Sequence, residues 1–432
     1  MTRPATRSLL PWLPLLRDTS FRRFLTGQTV SVLGDQVSLL AIPLVGVLVL
    51  HANAAQMGYL TAAGLAPSLL FALAAGARID RRGHRRATML VADLGRAALL
   101  GTIPLAYAAG GLTLTQLYVV AFAGGTLDVL FFVSYSTLFV SIVPEDQFLQ
   151  GSSLLNGSRS LMTVVGQSAA GLLIAAASAP GALILDAASF LASAAALASI
   201  HPAEPATETA THGQLIAGVR FIRHSPIVRA ALCATATVNY FCFIFVAVFI
   251  LYATTNLHVT PAQLGLVLGL GATGGLVGAA STTWIGQRIG IGRTFMLGCL
   301  LFPAPLLLVP IAAGSHTLVL SCLLVAEFGS AFGVLILDIS IGTIFATVIP
   351  DQLRARVAGA YRTVNYGIRP LGALTGGALG STIGLHTTLW IAAIGGLTGV
   401  LWLVHSPMPK LKTLTGSDDQ LPTREPSPNG DC

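Results

Sequence analysis

Six carboxylates and four arginines interrupt stretches of this sequence that are otherwise apolar. The acids are Asp35, Asp93, Asp128, Asp186, Glu327 and Asp338, and the bases are Arg96, Arg159, Arg362 and Arg369. An ionised side chain in hydrocarbon costs roughly 2.5–3.5 kcal/mol on insertion scales unless it is paired, hydrated or protonated. Counting ~1.5 Å per residue along each stretch sets Asp128 and Arg159 at depths of about 22 and 19 Å, and Asp338 and Arg362 both at about 16 Å. Glu327 and Arg369 fall at about 33 and 27 Å, a looser match. Asp93 and Arg96 lie three apart on one helix, where side chains meet. These are the expected ion pairs. Each can either fix packing or let its acid go during a working cycle.

Asp35 and Asp186 have no evident charge partner. Low dielectric disfavours the charged form of a lone carboxyl, which is the property a proton carrier needs. Asp35, about 15 Å into its stretch, is the first candidate for proton coupling, and Asp128 and Glu327 come next. The competing role for Asp35 is a hydrogen bond that orders Gln28 or Gln36.

The elements that must hold these charges are membrane helices. Only 9% of residues are charged and 54% are hydrophobic, more apolar surface than a water-soluble core absorbs. Spans of roughly 20 apolar residues are predicted at 25–50, 57–77, 87–109, 113–143, 151–177 and 179–200, then at 230–254, 263–286, 294–313, 317–349, 357–383 and 385–405. The chain then divides into a cytoplasmic segment (1–24), a six-helix half (25–200), a cytoplasmic linker (201–229), a second half (230–405) and a disordered tail (406–432). The linker carries an amphipathic stretch, Leu215 to Arg223, that reads as a helix lying on the inner leaflet. The fold class is all-α: twelve transmembrane helices in two six-helix halves.

Twenty of the 24 Lys and Arg residues fall in the segments on one side of these spans, the other four lie within them, and none is left for the opposite side. Basic residues in short loops stay cytoplasmic, so both termini are expected inside a cytoplasmic membrane crossed many times. The net charge of +7 is thereby explained by loops facing an anionic leaflet, not by a nucleic-acid partner. Five cysteines without a CxxC spacing give no disulfide frame. No His, Glu and Asp residues stand at metal-binding spacings and no Gly-x-Ser-x-Gly occurs, which disfavours a membrane enzyme; neither metal nor cofactor is expected.

The halves echo each other. Pro144 and Pro350 are 206 positions apart, as are Gly166 and Gly372, and Gly171 and Gly377. Asp80-Arg81-Arg82-Gly83 stands opposite Gln287-Arg288-Ile289-Gly290 at an offset of 207. Two repeated halves suit alternating access, in which rocking one half against the other exposes a central site to each side in turn.

The loop after span two reads Gly76-Ala77-Arg78-Ile79-Asp80-Arg81-Arg82-Gly83-His84-Arg85-Arg86. It resembles the G-x-x-x-D-R-x-G-R-R loop of the major facilitator superfamily, matching at Gly76, Asp80, Arg81, Gly83 and Arg85. Phe24 to Val37 in span one and Arg369-Pro370-Leu371-Gly372 with Gly376-Gly377 in span eleven resemble the drug and siderophore exporters of that superfamily. Span five departs from the exporter pattern G-P-x-x-G-G: Gly166 to Gly171 keeps the end glycines and loses the proline. Span four lacks the basic residue of many proton antiporters. The resemblance implies that Asp80 faces the start of span eleven and latches the halves. A carboxylate there would meet the exposed N–H groups and dipole of a helix N-terminus.

The expected function is a proton-coupled exporter of small, largely hydrophobic molecules, drugs or natural products, acting as a monomer. A siderophore exporter or nutrient carrier of the same fold is the alternative. The cargo site should lie between the halves near the membrane midplane. Phe131, Tyr135, Asn239, Tyr240, Phe243, Asn365 and Tyr366 are its candidate lining.

Overall fold

The computed structural model describes the backbone of residues 13–82, 84–200 and 214–411, and within these the side chains of 15–71, 84–200 and 218–411. Twelve long helical elements follow one another: span one (Thr19–Val49), two (Ala54–Arg82), three (Arg85–Ala108), four (Leu114–Ile142), five (Phe148–Ala177) and six (Ala179–Ala198). A linker helix (Gln214–His224) leads to span seven (Pro226–Thr255), eight (Pro261–Ile289), nine (Ile291–Ile311), ten (His316–Val348), eleven (Asp351–Thr382) and twelve (Leu385–Val404). Ten of them are long and apolar enough to cross a bilayer on those grounds alone. Spans two and eleven, with 29 and 32 residues, complete the twelve.

Local chemistry starts and stops these helices. Asp18 accepts from the Phe21 N–H at 2.8 Å to cap span one. Thr260 and Gln263 form a reciprocal capping box on span eight, with Pro261 in its first turn. Gly290 and Gly384 hold φ of +86° and +87° at the turns into spans nine and twelve, angles that Cβ-bearing residues resist. Pro43 interrupts the ladder of span one, and the helix continues as a π-helical turn over Val45–Val49. At the carboxyl end of span six, Arg86 donates to the carbonyls of Leu197 and Ala198 and Arg23 to that of Ser199, cations on the negative end of a helix dipole.

Within the first half, span one packs on five and six, and three on four and six; within the second, seven packs on eleven and twelve, and eight on ten. The halves meet along two seams, span two against eleven and span five against eight. Exchanging the halves turns one seam into the other, so the repeat in the sequence is a pseudo-symmetry of the interface.

Glycine makes these seams close. A Cβ built on Gly58 would stand 2.7 Å from the Gly377 Cα, and one on Gly171 would stand 2.7 Å from the Gly265 Cα. Gly171 and Gly377 are the glycines already paired by the repeat, and each faces a glycine of the other half. Gly58 and Gly265 are themselves 207 positions apart, the offset of the loop after span two. Small residues let helix backbones approach in a lipid environment where no hydrophobic effect drives association.

Both glycine contacts lie at the end of the bundle away from the described chain ends. One apolar cluster there joins the halves, holding Leu44, Val45 and Ile174 of the first with Val248, Leu264 and Leu389 of the second. At the other end the core splits in two. Phe21, Phe24, Met89 and Leu197 belong to one cluster, and Val228, Phe295, Val357 and Met408 to the other. The molecule is closed at one end and parted at the end bearing the chain termini.

The connecting segments pack on the second half, and the expected start of the tail is corrected. The linker helix is docked on protein: Gly218 lies so close to the Arg356 carbonyl that no side chain would fit, and Ile222 is buried in the second half's core. The chain also stays folded past Ser406, because Met408 is fully buried and the Gly292 N–H donates to the Leu411 carbonyl at 3.3 Å. The stretch 201–213 and the tail from 412 lie outside the described residues.

Candidate functional site: a charged wall on a chamber between the halves

Span three places Asp93 and Arg96 one turn apart, and the Arg96 Nη2 donates to the Asp93 Oδ1 at 2.6 Å. The other terminal nitrogen is shared. Arg96 Nη1 lies 3.3 Å from the Asp128 Oδ1 of span four and 3.9 Å from the Asp35 Oδ1 of span one. The guanidinium is sandwiched by rings, 4.6 Å from the centroid of Phe131 and 4.2 Å from that of Phe190. Asp186 of span six closes the group. It accepts from the Ser38 hydroxyl and, at 3.0 Å, from that of Ser189. Gly34 allows this approach, since a Cβ there would collide with the Asp186 and Ser189 side chains. One cation thus serves three carboxylates, and a fourth stands beside it on hydroxyl donors.

This cluster forms part of the wall of a cavity of about 610 Å³ lying between the halves. The first half contributes Asp35, Asp128, Asp186, Arg96 and Phe190. The second contributes Phe243, Phe245 and Phe249 of span seven, Phe302 of span nine and Glu327 of span ten. Four carboxylates and one guanidinium therefore face a largely apolar space. No ion pair reaches Glu327 among the described residues. Among them, too, no group of three or more His, Cys, Asp or Glu side chains could hold a metal ion.

A second cavity, of about 340 Å³, lies within the first half alone. Phe131 and Tyr135 line it, together with Gln28, Asn156, Ser158 and Arg159.

The expected pairs fare unequally. Asp93 meets Arg96 as the spacing requires. Asp128 pairs with Arg96 and not with Arg159, which is exposed on the wall of the smaller cavity. Asp35 has a charge partner after all, the same Arg96. Among the described residues no ion pair joins Asp338 to Arg362 or Glu327 to Arg369. Asp338 and Arg362 are both exposed on their helices and do not face each other closely enough to pair. Equal depth on two helices says nothing about which way the side chains face, and here the facing decides.

Arg369 works inside the second half. Its Nε donates to the Asn239 Oδ1 at 3.0 Å, and its guanidinium lies over the rings of Tyr366 and Phe243, at 4.2 and 5.1 Å. Asn239 in turn donates to the Asn365 Oδ1 at 3.3 Å, and the Tyr240 hydroxyl donates to Thr375 at 2.9 Å. Of the seven residues expected to line the chamber, only Phe243 does so. The others are spent on hydrogen bonds and ring contacts or face the smaller cavity. Phe190, Phe245, Phe249 and Phe302 were missed. An aromatic residue facing a cavity looks the same in sequence as one facing lipid.

The proposed latch falls largely outside what can be seen. Gly76, Asp80 and Arg81 lie on the last turns of span two, but their side chains, and Gly83 altogether, are outside the described residues. Arg85 is buried at the start of span three.

Two six-helix halves related by a repeat, closed at one end over a chamber they share, define a membrane transporter of the alternating-access kind. The chain belongs to the Major Facilitator Superfamily, whose sequence profile matches residues 24–370 and 232–428. The Multidrug efflux pump Tap of Mycobacterium tuberculosis is 27% identical over 384 residues, covering 84% of this chain and 87% of that protein. The protein of the same name from Mycolicibacterium fortuitum is 25% identical over 405 residues, covering 88% and 93%. Among solved structures, that of the nucleoside transporter NupG superposes with a TM-score of 0.72 at 12% identity, covering 91% of this chain and 100% of the other, a likeness of fold alone.

Proposed function

We propose that this protein exports small, largely apolar molecules from the cytoplasm in exchange for protons. The observation that carries the reading is the chamber itself, in which aromatic rings face a wall of carboxylates that outnumber the one cation among the described lining residues. Such a space favours bulky apolar solutes, neutral or cationic, and disfavours anions. The relatives named multidrug efflux pumps point the same way. With the basic loops inside, the parted end faces the cytoplasm, and both termini lie there. Cargo enters from the cytoplasm or the inner leaflet. The Gly58–Gly377 and Gly171–Gly265 seams then open while the cytoplasmic ends close, with Asp80 latching the closed ends against span eleven. Proton and cationic cargo compete for the same carboxylates, so that binding one releases the other. Asp35 is the proton carrier in this cycle, with Asp128 and Glu327 as the further acids.

Inside-out membrane vesicles test this with ethidium as cargo. The native protein should accumulate ethidium when an inward-acid pH gradient is imposed. Asp35→Asn should abolish that accumulation while leaving exchange of internal for external ethidium without a gradient. Full accumulation by Asp35→Asn would remove Asp35 from the coupling step.

A further inference from the structure

We infer that the smaller cavity of the first half is a proton vestibule, a polar route to the acids of the chamber that cargo does not share. The inference rests on the proton-coupled reading above and adds the path the proton takes. The two cavities have three lining residues in common, Asp35, Arg96 and Asp128. Beyond those three, the chamber is lined mainly by aliphatic and aromatic side chains from both halves. The smaller cavity belongs to spans one, three, four and five, and eight of its twelve remaining lining residues are polar, among them Gln28, Thr29, Asn156, Ser158 and Arg159. The ion cluster is therefore the partition between a strongly apolar room and a more polar one.

Position along the helices gives the route a direction. Gln28 and Asn156 lie nearer the parted ends of spans one and five than Asp35 does to the parted end of span one. A space of this size has room for several waters, and the Gln28, Thr29, Asn156, Ser158 and Arg159 side chains are the polar partners that would hold them. Gln28 adds a reason, since its buried Nε2 finds no acceptor among the described residues. Thr29 and Ser158 bridge spans one and five across this space, oxygen to oxygen at 2.5 Å.

The charged and titratable groups facing the acids can be named helix by helix. They are Asp93 and Arg96 on span three, Tyr135 beside Asp128 on span four, Arg159 on span five and Asp186 on span six, with Glu327 of span ten across the chamber. Arg96 and Arg159 share the vestibule wall with Asp35 and Asp128, two cations against two carboxylates. A proton passes by exchange between waters: it leaves hydronium, forms the O–H bond of the Asp35 or Asp128 carboxyl, and departs by the reverse step.

Ser158→Leu, which fills the vestibule with a branched apolar side chain, is the test, in the same vesicles with ethidium. The expected result is loss of pH-gradient-driven accumulation with gradient-free exchange retained. Thr29→Val, which removes the bridging hydroxyl at nearly constant shape, should reduce accumulation in the same selective way. Normal accumulation in Ser158→Leu overturns the proposal. Equal loss of exchange and accumulation in both variants also overturns it, because the cavity is then part of the cargo path or of the packing. Native protein that shows no gradient-driven accumulation brings down the export reading, and this proposal with it.

Discussion

Arg96→Gln should be the most damaging single change to the stability of this protein, and the geometry says by how much. The Asp93 side chain is 0% exposed and Arg96 is its only cation, at 2.6 Å. Removing one member of a buried pair costs about 3–5 kcal/mol, since the other charge is left stranded. Losing the cation between the Phe131 and Phe190 rings removes a further 0.5–2 kcal/mol or so per ring. Asp35 and Asp128 weigh far less, because their side chains are 44% and 65% exposed and lie at longer range. Open pairs of that kind contribute about 0–1 kcal/mol.

The expected order is therefore a loss of about 3–5 kcal/mol or more for Arg96→Gln and under about 1 kcal/mol for Asp128→Asn. Adding Asp93→Asn to Arg96→Gln should recover most of the loss, by removing the stranded charge. Arg96→Lys should fall between, because an ammonium lacks the planar fork that reaches Asp93 and Asp128 together. Thermal unfolding in detergent can be followed with a thiol-reactive dye, for which the fully buried Cys299 is a built-in reporter. If Arg96→Gln melts with the native protein, or if Asp128→Asn is equally destabilised, the cluster is not organised around a buried Asp93–Arg96 pair.

Three further outcomes follow from the same structure. Glu327→Gln should weaken efflux of ethidium more than efflux of a neutral dye, because the second half then offers no charge to the chamber; equal loss of both would make Glu327 a packing residue. Gly58→Val should force span two from span eleven at the closed end, since even a Cβ would stand 2.7 Å from the Gly377 Cα. With Cys322 and Cys432 replaced by serine, that variant should show faster labelling of the chamber residue Cys242 by an impermeant thiol reagent outside intact cells, and unchanged labelling would place the seam elsewhere. Asp80→Asn should abolish transport while leaving the protein inserted and abundant; near-normal efflux would leave the basic loop only its anchoring role.

Much of the fold was legible because the bilayer enforces it. Apolar length gave the spans and the arginine bias gave the orientation that the proposal uses. Asp93–Arg96 was legible for a similar reason, as three residues along a helix fix both distance and facing. Asp128 was assigned to Arg159 on depth alone, which leaves the rotation of each helix free, and Arg96 won because span three packs on span four. The seam glycines were half legible: the repeat marked Gly171 and Gly377 at an offset of 206, and the offset of 207 in the loop after span two relates Gly58 to Gly265, but neither offset says which glycine faces which. The aromatic wall was not legible at all, because Phe245 and Phe249 sit in an apolar helix where every face reads alike.

What the sequence could not show is how unequally the halves divide the work. The charged network of Asp35, Asp93, Arg96, Asp128 and Asp186 lies wholly within spans one, three, four and six. These helices pack on one another or across span five, and none of the residues depends on the second half for a partner. Rocking the halves therefore need not break a single one of its ion pairs. The seams that must part are glycine against glycine at two points and apolar side chains around them, contacts of dispersion and not ion pairs. What the motion changes is the surroundings of the cluster: the distance from Glu327 and the aromatic wall, and the side from which water arrives. On the proposed reading, coupling then comes from the occupancy of Asp35 and Asp128, by proton or by cargo, and not from rebuilding the network at each turn of the cycle.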